Sequence, residues 1–309
     1  MTALRWALIL RRLGLRVVRR VSFDGGPADM LVALHSVRSA ASIERFRAER
    51  PGAPIVVAAT GTDINEPAAR AQAERALALA DAIIVLQELA VALLPAALRS
   101  RAHVVTQSVT LPAEPAPPPS GLQVCVLANL RPVKDPLLAA RAAELLPASS
   151  AVRVVLLGAA LDAQLAAQAR AHTQQGMRFA WLGALPRRRA LRVLQGSQAM
   201  VSSSLSEGGA NAVGEAIVAG VPPLVTAIEG SLGLLGADWP AVFPVGDARA
   251  LADLILRVER DPPFVAELRR RLRVLAPRFA PAREVASWRR ILQTLAPHCL
   301  RSCEPCLSP

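Results

Sequence analysis

The chain predicts an α/β protein made of two doubly wound domains with parallel sheets. Short apolar runs alternate with helical stretches over almost its whole length, the pattern of repeated strand and crossover-helix units. A stretch with five prolines, residues 111–121, interrupts that pattern, because proline removes backbone donors and holds the chain extended. A length of 309 residues is enough to bury two sizeable cores. The expected organisation is therefore an N-terminal domain over 1–110, a linker over 111–121 and a C-terminal domain over 122–280.

The first domain opens on a helix over 2–13, where Leu4, Ala7, Leu8, Leu10 and Leu13 recur at helical spacing and Gly14 stops it. Strands are expected over 16–21 and 29–34, the second ending at His35-Ser36. The carboxyl end of a parallel strand is where ligands meet such sheets, so His35 is a candidate donor to a substrate as well as a half-buried structural histidine. A helix over 38–49 and a strand over 54–59 lead into the turn Thr60-Gly61-Thr62-Asp63. Two more units follow, helix 67–79 with strand 82–86 and helix 89–98 with strand 103–106.

Beyond the linker the sheet pattern restarts over 122–128, where Cys125 sits in an apolar run as a core residue. Helix 136–146, strand 152–157, helix 162–171, strand 178–182 and helix 187–195 continue it. After a strand over 199–202 comes a Ser/Gly turn, a small-residue helix from about Asn211 that Gly220 closes, and a strand over 223–225. Residues 229–236 are punctuated by glycine and suggest another ligand-facing turn, followed by a short strand over 239–244. Asp247 caps a helix over 248–260, Asp261-Pro262 opens a second, and a third over 281–295 turns Trp288, Ile291 and Leu295 inward.

The chemistry concentrates between Ser202 and Pro222. Gly208 and Gly209 remove side chains where the helix begins, so backbone amides and the positive helix end face any anion placed there, such as a phosphate. Glu207 and Glu215 stand one on the loop and one in the helix. Beside an anion site, carboxylates suit hydroxyls, since each can accept two hydrogen bonds from the diol of a sugar or ribose. Glu215 lies in a helix that is apolar almost all round, where an unpartnered carboxylate is costly. Lys134 is the only lysine in a chain that otherwise uses arginine, which marks a place where a compact ammonium is wanted.

Glu207-Gly208-Gly209, Glu215-Ala216 and Ala219-Gly220-Val221-Pro222 resemble the Glu-x7-Glu signature of the retaining glycosyltransferases of family 4. The resemblance implies the GT-B fold, two Rossmann-like doubly wound domains facing across a cleft, with the helix of 281–298 returning to the first domain. Against that pattern the first strand of the N-terminal domain is missing, because the chain opens on a helix. The finer pattern Glu207-Gly208-Gly209-Ala210-Asn211, with Asn129-Leu130-Arg131-Pro132-Val133-Lys134-Asp135-Pro136 and Leu34-His35-Ser36, resembles the selenosugar synthases of selenoneine biosynthesis, which join a UDP-sugar to selenophosphate.

The resemblance implies that Glu215 holds the ribose of the nucleotide, that Glu207 with the Gly208 and Gly209 amides holds the donor sugar, and that Lys134 contacts the diphosphate. Lys134 and Glu207 are then the catalytic candidates. Arg131, Asn211, His35, Gly61 and Thr62 join the binding set, with Arg131 in place of an arginine that relatives carry where this chain has Asn129. Neither a metal nor a cofactor is required. Two other functions remain open on the residues: transfer to a glycan or lipid acceptor, and sugar-nucleotide binding without turnover.

The formal charge of +12 would suit nucleic acid, an anionic membrane or an anionic substrate. Arginines scattered through the chain and an aromatic content of 3% argue against a nucleic-acid binder. No apolar run reaches the roughly 18 residues of a membrane span, and no export signal is evident, so a soluble cytoplasmic protein is expected. Cys299, Cys303 and Cys306 crowd the tail. A zinc site there would need a fourth ligand such as His298, and a disordered tail with Pro305 and Pro309 is the expectation.

Overall fold

The computed structural model describes residues 2–65, 67–114, 121–176 and 178–297, and the chain divides into two compact units. One takes Met1–Gln107 and the chain from Pro281 onward; the other is Ser108–Ala280. His298, Cys299, Cys303 and Cys306 lie outside the described residues.

The first unit runs α1 (Thr2–Arg12), β1 (Leu31–Leu34), α2 (Ala40–Glu49), β2 (Ile55–Ala58), α3 (Thr62–Asn65), α4 (Pro67–Ala78), β3 (Ala82–Val85), α5 (Ala90–Leu93) and β4 (Ala102–Val104). Its sheet has the order β1-β2-β3-β4 with every pair parallel. Side chains alternate between the faces of a strand, and two cores result. Ile55, Val57, Ile83 and Val85 join Ile43, Phe46 and Leu77 on one side. Val56, Ala58, Ala82 and Ile84 join Trp6, Leu10, Trp288 and Ile291 on the other.

Two expectations for this unit are corrected. No strand forms over 16–21: an extended segment becomes a strand only beside a partner, and β1 is the edge of the sheet among the described residues. Val18 and Val21 consequently stand in solvent, 69% and 107% exposed. The helix expected over 89–98 is divided by Pro95 into α5 and a 3₁₀ turn, Ala96–Arg101, since proline brings no donor and clashes with the preceding turn.

The second unit runs β5 (Gln123–Leu127), α6 (Leu138–Glu144), β6 (Arg153–Leu157), α7 (Ala163–Gln175), β7 (Phe179–Trp181), α8 (Arg187–Gln195), β8 (Ala199–Ser202), α9 (Asn211–Ala219), β9 (Pro223–Thr226), α10 (Glu229–Leu235), β10 (Val242–Phe243), α11 (Ala248–Arg260) and α12 (Pro262–Leu275). Its sheet is parallel throughout, in the order β10-β9-β8-β5-β6-β7. The order turns back between β8 and β5, the kind of switch point outside which doubly wound sheets bind ligands. Residues 108–114 also belong here: Leu111 packs on the core, and Gln195 Nε2 donates to Pro112 O at 3.2 Å. Cys125 is fully buried, and burial pushes its thiol up to about 12.

Glu229–Leu235 form a helix where a loop over 229–236 was expected, and Gly236 with φ 100° ends it. Gly230 is there for close approach instead: a Cβ on it would stand 2.3 Å from Glu207 O. The last helix, α13 (Pro281–Leu295), packs on α1 in the first unit. Trp6 and Trp288 meet edge to face with ring centroids 5.0 Å apart, and Trp6 Nε1 donates to the buried carboxylate of Glu284 at 2.7 Å.

Candidate functional site

In the second unit the carboxyl ends of β5 and β8 are stitched together by hydroxyls. After β5 the chain makes a 3₁₀ turn, Pro132–Lys134, and reverses at Asp135, whose φ of 34° is left-handed. Arg141 Nη2 holds the Asp135 carboxylate at 3.0 Å to both oxygens. After β8, Ser203 Oγ donates to Asp135 O at 2.8 Å, and Leu205 N donates to Val133 O at 2.9 Å. Thr226 Oγ1 at the end of β9 donates to Ser204 O at 2.6 Å. These bonds fix the backbone on which the charged groups stand.

On that frame Lys134 Nζ donates to Glu207 Oε1, which also accepts from Ser204 Oγ at 2.8 Å. Lysine and glutamate are 73 positions apart in the chain. Gly230 of α10 lies directly behind Glu207, so the loop sits against bare helix backbone and cannot retreat.

Gly208 is buried and Gly209 half-buried, and α9 begins at Asn211 with no side-chain cap. Its first-turn amides therefore remain available to an anion. Asn211 itself is exposed. Glu215, one turn further, is 8% exposed at its side chain, and Arg187 Nη1 at the start of α8 meets its Oε1 at 2.5 Å. Gly214 beside it has no room for a side chain, because a Cβ would stand 2.9 Å from the Phe279 ring. Gly220 ends α9 in the left-handed conformation, φ 68°.

Arg131 is exposed, and its carbonyl accepts from Lys134 N at 3.0 Å in the 3₁₀ turn, while its side chain makes no hydrogen bond or ion pair among the described residues. Asn129 is structural: its Oδ1 accepts from Ala159 N at 2.9 Å and ties the end of β5 to the end of β6.

His35, Gly61 and Thr62 belong to the first unit. Asp63, the last residue of the turn picked out in the sequence, organises the strand ends around them. Its fully buried carboxylate accepts from Ser36 N at 2.8 Å and Ser36 Oγ at 3.0 Å through one oxygen, and from Thr60 N and Gly61 N, both at 2.9 Å, through the other. The ends of β1 and β2 are thus held by one residue. His35 has φ 72°, rare for a residue with a side chain, and its Nδ1 lies 3.8 Å from Asp63 Oδ2. Thr62 starts α3, and its side chain lies outside the described residues.

Sequence reasoning missed the pairing of Arg187 and the burial of Gln87. Arg187 had a signal: three arginines open α8, where the helix dipole disfavours cations, so one of them has a partner elsewhere. Gln87 had none; it follows β3 and is 1% exposed.

Two α/β units with parallel sheets, matched as a whole by solved glycosyltransferase structures, give the chain the GT-B fold. It belongs to the family Glycosyl transferases group 1, which matches residues 109–277, more than half of its length. HepE of Anabaena, solved with UDP and glucose, matches with a TM-score of 0.72 at 15% identity, over 96% of this chain and 82% of HepE. Sucrose-phosphate synthase of Thermosynechococcus elongatus matches at 0.68 and 16% identity, over 87% of this chain and 74% of its own. TarM of S. aureus matches at 0.67 and 13% identity, over 85% of this chain, which spans only 55% of TarM. No curated protein matches the chain. No helix among the described residues is long and apolar enough to cross a membrane.

Proposed function

We propose that this glycosyltransferase moves a sugar from UDP-N-acetylglucosamine or UDP-glucose to selenophosphate, forming a selenosugar of the kind used in selenoneine biosynthesis. One observation carries the donor half: the single lysine, the loop carboxylate of Glu207 and the uncapped start of α9 come together at the ends of β5 and β8. Cation and amides match a diphosphate, and the carboxylates of Glu207 and Glu215 match the hydroxyls of sugar and ribose. HepE is a structural neighbour solved with UDP-glucose.

In this reading Lys134 and the amides of Gly208 and Gly209 receive the charge that develops on the diphosphate as the bond from the anomeric carbon to its oxygen breaks. The ammonium has three donors, so it can hold Glu207 and the leaving group together. A selenium lone pair of selenophosphate forms the new carbon–selenium bond, and UDP departs with the electron pair of the old one. Selenium is polarisable and nucleophilic, so no strong general base is needed.

The acceptor half rests on the resemblance and on what the first unit offers. Trp6, Phe46 and Trp288 are buried, and Phe23 packs edge to face on Phe46, so these rings provide no open platform for stacking a long glycan. The polar ends of β1 and β2, with His35, Arg38, Gly61 and Thr62, suit a small anion better. The test is to incubate the protein with each UDP-sugar and selenophosphate and to look for a selenosugar and UDP by mass spectrometry. UDP release with a glycan or lipid acceptor but not with selenophosphate would sink the acceptor assignment. Tight UDP-sugar binding with no turnover on any acceptor would leave a binding protein.

A further inference from the structure

α1 and α13 pack on each other over one face of the first unit's sheet, and each carries an outer face that this packing does not use. On α1 the stripe Trp6, Ile9, Leu10 and Leu13 is buried. Opposite it, Leu4 and Leu8 stand one helical turn apart, 47% and 57% exposed, and the exposed Arg11 and Arg12 extend the row. On α13 the exposed charged residues are Arg283, Arg289 and Arg290. The segment after α1 adds Arg16, Arg19 and Arg20, with Val18 and Val21 exposed among them.

Acidic side chains are almost absent from this surface among the described residues. The sequence holds no Asp or Glu before Asp24, and the single acid of α13, Glu284, is buried against Trp6. Of the eight arginines only Arg20 meets a carboxylate among the described residues, that of Asp24 at 3.2 Å. Protein surfaces normally mix both signs, because like charges on one face repel. We infer that this face docks on a bilayer surface carrying anionic lipids, with the arginines on the phosphates and Leu4 and Leu8 entering the acyl boundary. A second copy of the chain would bring the same positive charge and be repelled. Single-stranded nucleic acid is held by basic grooves with aromatic platforms, whereas Trp6 and Trp288, the rings of these two helices, are buried. The contact is peripheral, since no helix among the described residues is long and apolar enough to cross a membrane. None of these side chains belongs to the candidate site, and the inference does not depend on which acceptor the protein uses.

Vesicle flotation of the full chain tests this. The protein should float with vesicles of phosphatidylcholine and phosphatidylglycerol but not with phosphatidylcholine alone, and should be released as salt rises from about 0.1 M to about 1 M. A basic residue near such a surface is worth roughly fivefold in binding, so Arg12→Gln, Arg16→Gln and Arg19→Gln together should weaken it on the order of 100-fold. Arg249→Gln, Arg269→Gln and Arg273→Gln, also exposed but in the second unit, remove the same charge and should change binding by less than about threefold. Leu4→Ser with Leu8→Ser should cost roughly tenfold at unchanged charge. All these positions are exposed, so melting temperatures should stay close to that of the wild type. Absence of binding to the anionic vesicles at low salt overturns the inference, whatever the protein binds instead, RNA included. Equal losses in the two arginine triples also overturn it, since the vesicles then respond to net charge alone. So does a leucine pair that binds like the wild type, since the apolar half of the face then meets no lipid.

Discussion

Replacing Arg187 by methionine tests how Glu215 is held for its task. Arg187 Nη1 lies 2.5 Å from Glu215 Oε1, and Glu215 is 8% exposed while Arg187 is 39% exposed. Hydrogen bonds to charged groups contribute about 1.5–3 kcal/mol. With more than a third of the guanidinium side chain in solvent, screening reduces this to about 1 kcal/mol, or roughly fivefold in UDP affinity. The more telling quantity is the ratio of affinities for UDP and 2′-deoxy-UDP, measured by calorimetry. A carboxylate aimed at the ribose diol discriminates by about tenfold or more, and Arg187→Met should lower that ratio because the carboxylate loses its guanidinium contact. Arg187→Lys should restore part of it, as a point charge without the planar fork. Turnover at saturating donor should change little, since the contact is made equally in ground and transition states. Wild-type discrimination that survives unchanged in Arg187→Met would refute the orienting role. A wild-type ratio near one would refute the ribose role of Glu215 itself.

On the proposed mechanism, in which the ammonium acts on charge that develops as UDP leaves, Lys134→Ala should lower kcat by on the order of 100-fold, with a smaller effect on donor affinity; single-turnover kinetics separate the two. Gly230→Ala should leave a folded protein, since one methyl typically costs about 1–3 kcal/mol when a tight contact must shift. Its Cβ would nevertheless press within 2.3 Å of Glu207 O, so turnover should fall strongly while UDP binding holds, as kinetics and calorimetry would show. Cys125 should resist iodoacetamide in the folded state and react on unfolding, read by peptide mapping, because burial keeps its thiol protonated. The sign of its pH dependence follows: with the folded value raised from 9.0 to about 12, the stability carried by the protonated thiol is complete below pH 9.0 and is lost as pH rises through that window.

Much of the candidate donor site was legible because its signals are local. Gly208-Gly209 before a small-residue helix, a glutamate on either side, and a lone lysine in an arginine-rich chain are each readable from residue type and spacing. Alternating apolar runs also located nearly every strand, since fully buried parallel strands such as Ile55–Ala58 and Ala82–Val85 must be apolar on both faces. Residues 16–21 and 229–236 show the limit of such reading. Val17-Val18 has the composition of a strand but no neighbouring strand to pair with. Glu229–Leu235 has the glycines of a loop, one of which instead lets a helix touch Glu207.

Composition and period by themselves determined that the chain folds as two α/β units with a glycine turn before a small-residue helix in the second, because burial and backbone freedom are written residue by residue. Only the tertiary structure decided which charges meet. Lys134 reaches Glu207 across 73 positions, Arg187 reaches Glu215 from another helix, and Asp63 gathers the amides of two strand ends. It alone decided that the Gln87 amide is buried without a partner among the described residues. Pairing and orphaning are properties of distance in space, fixed by strand order and register, and residue type carries no record of them.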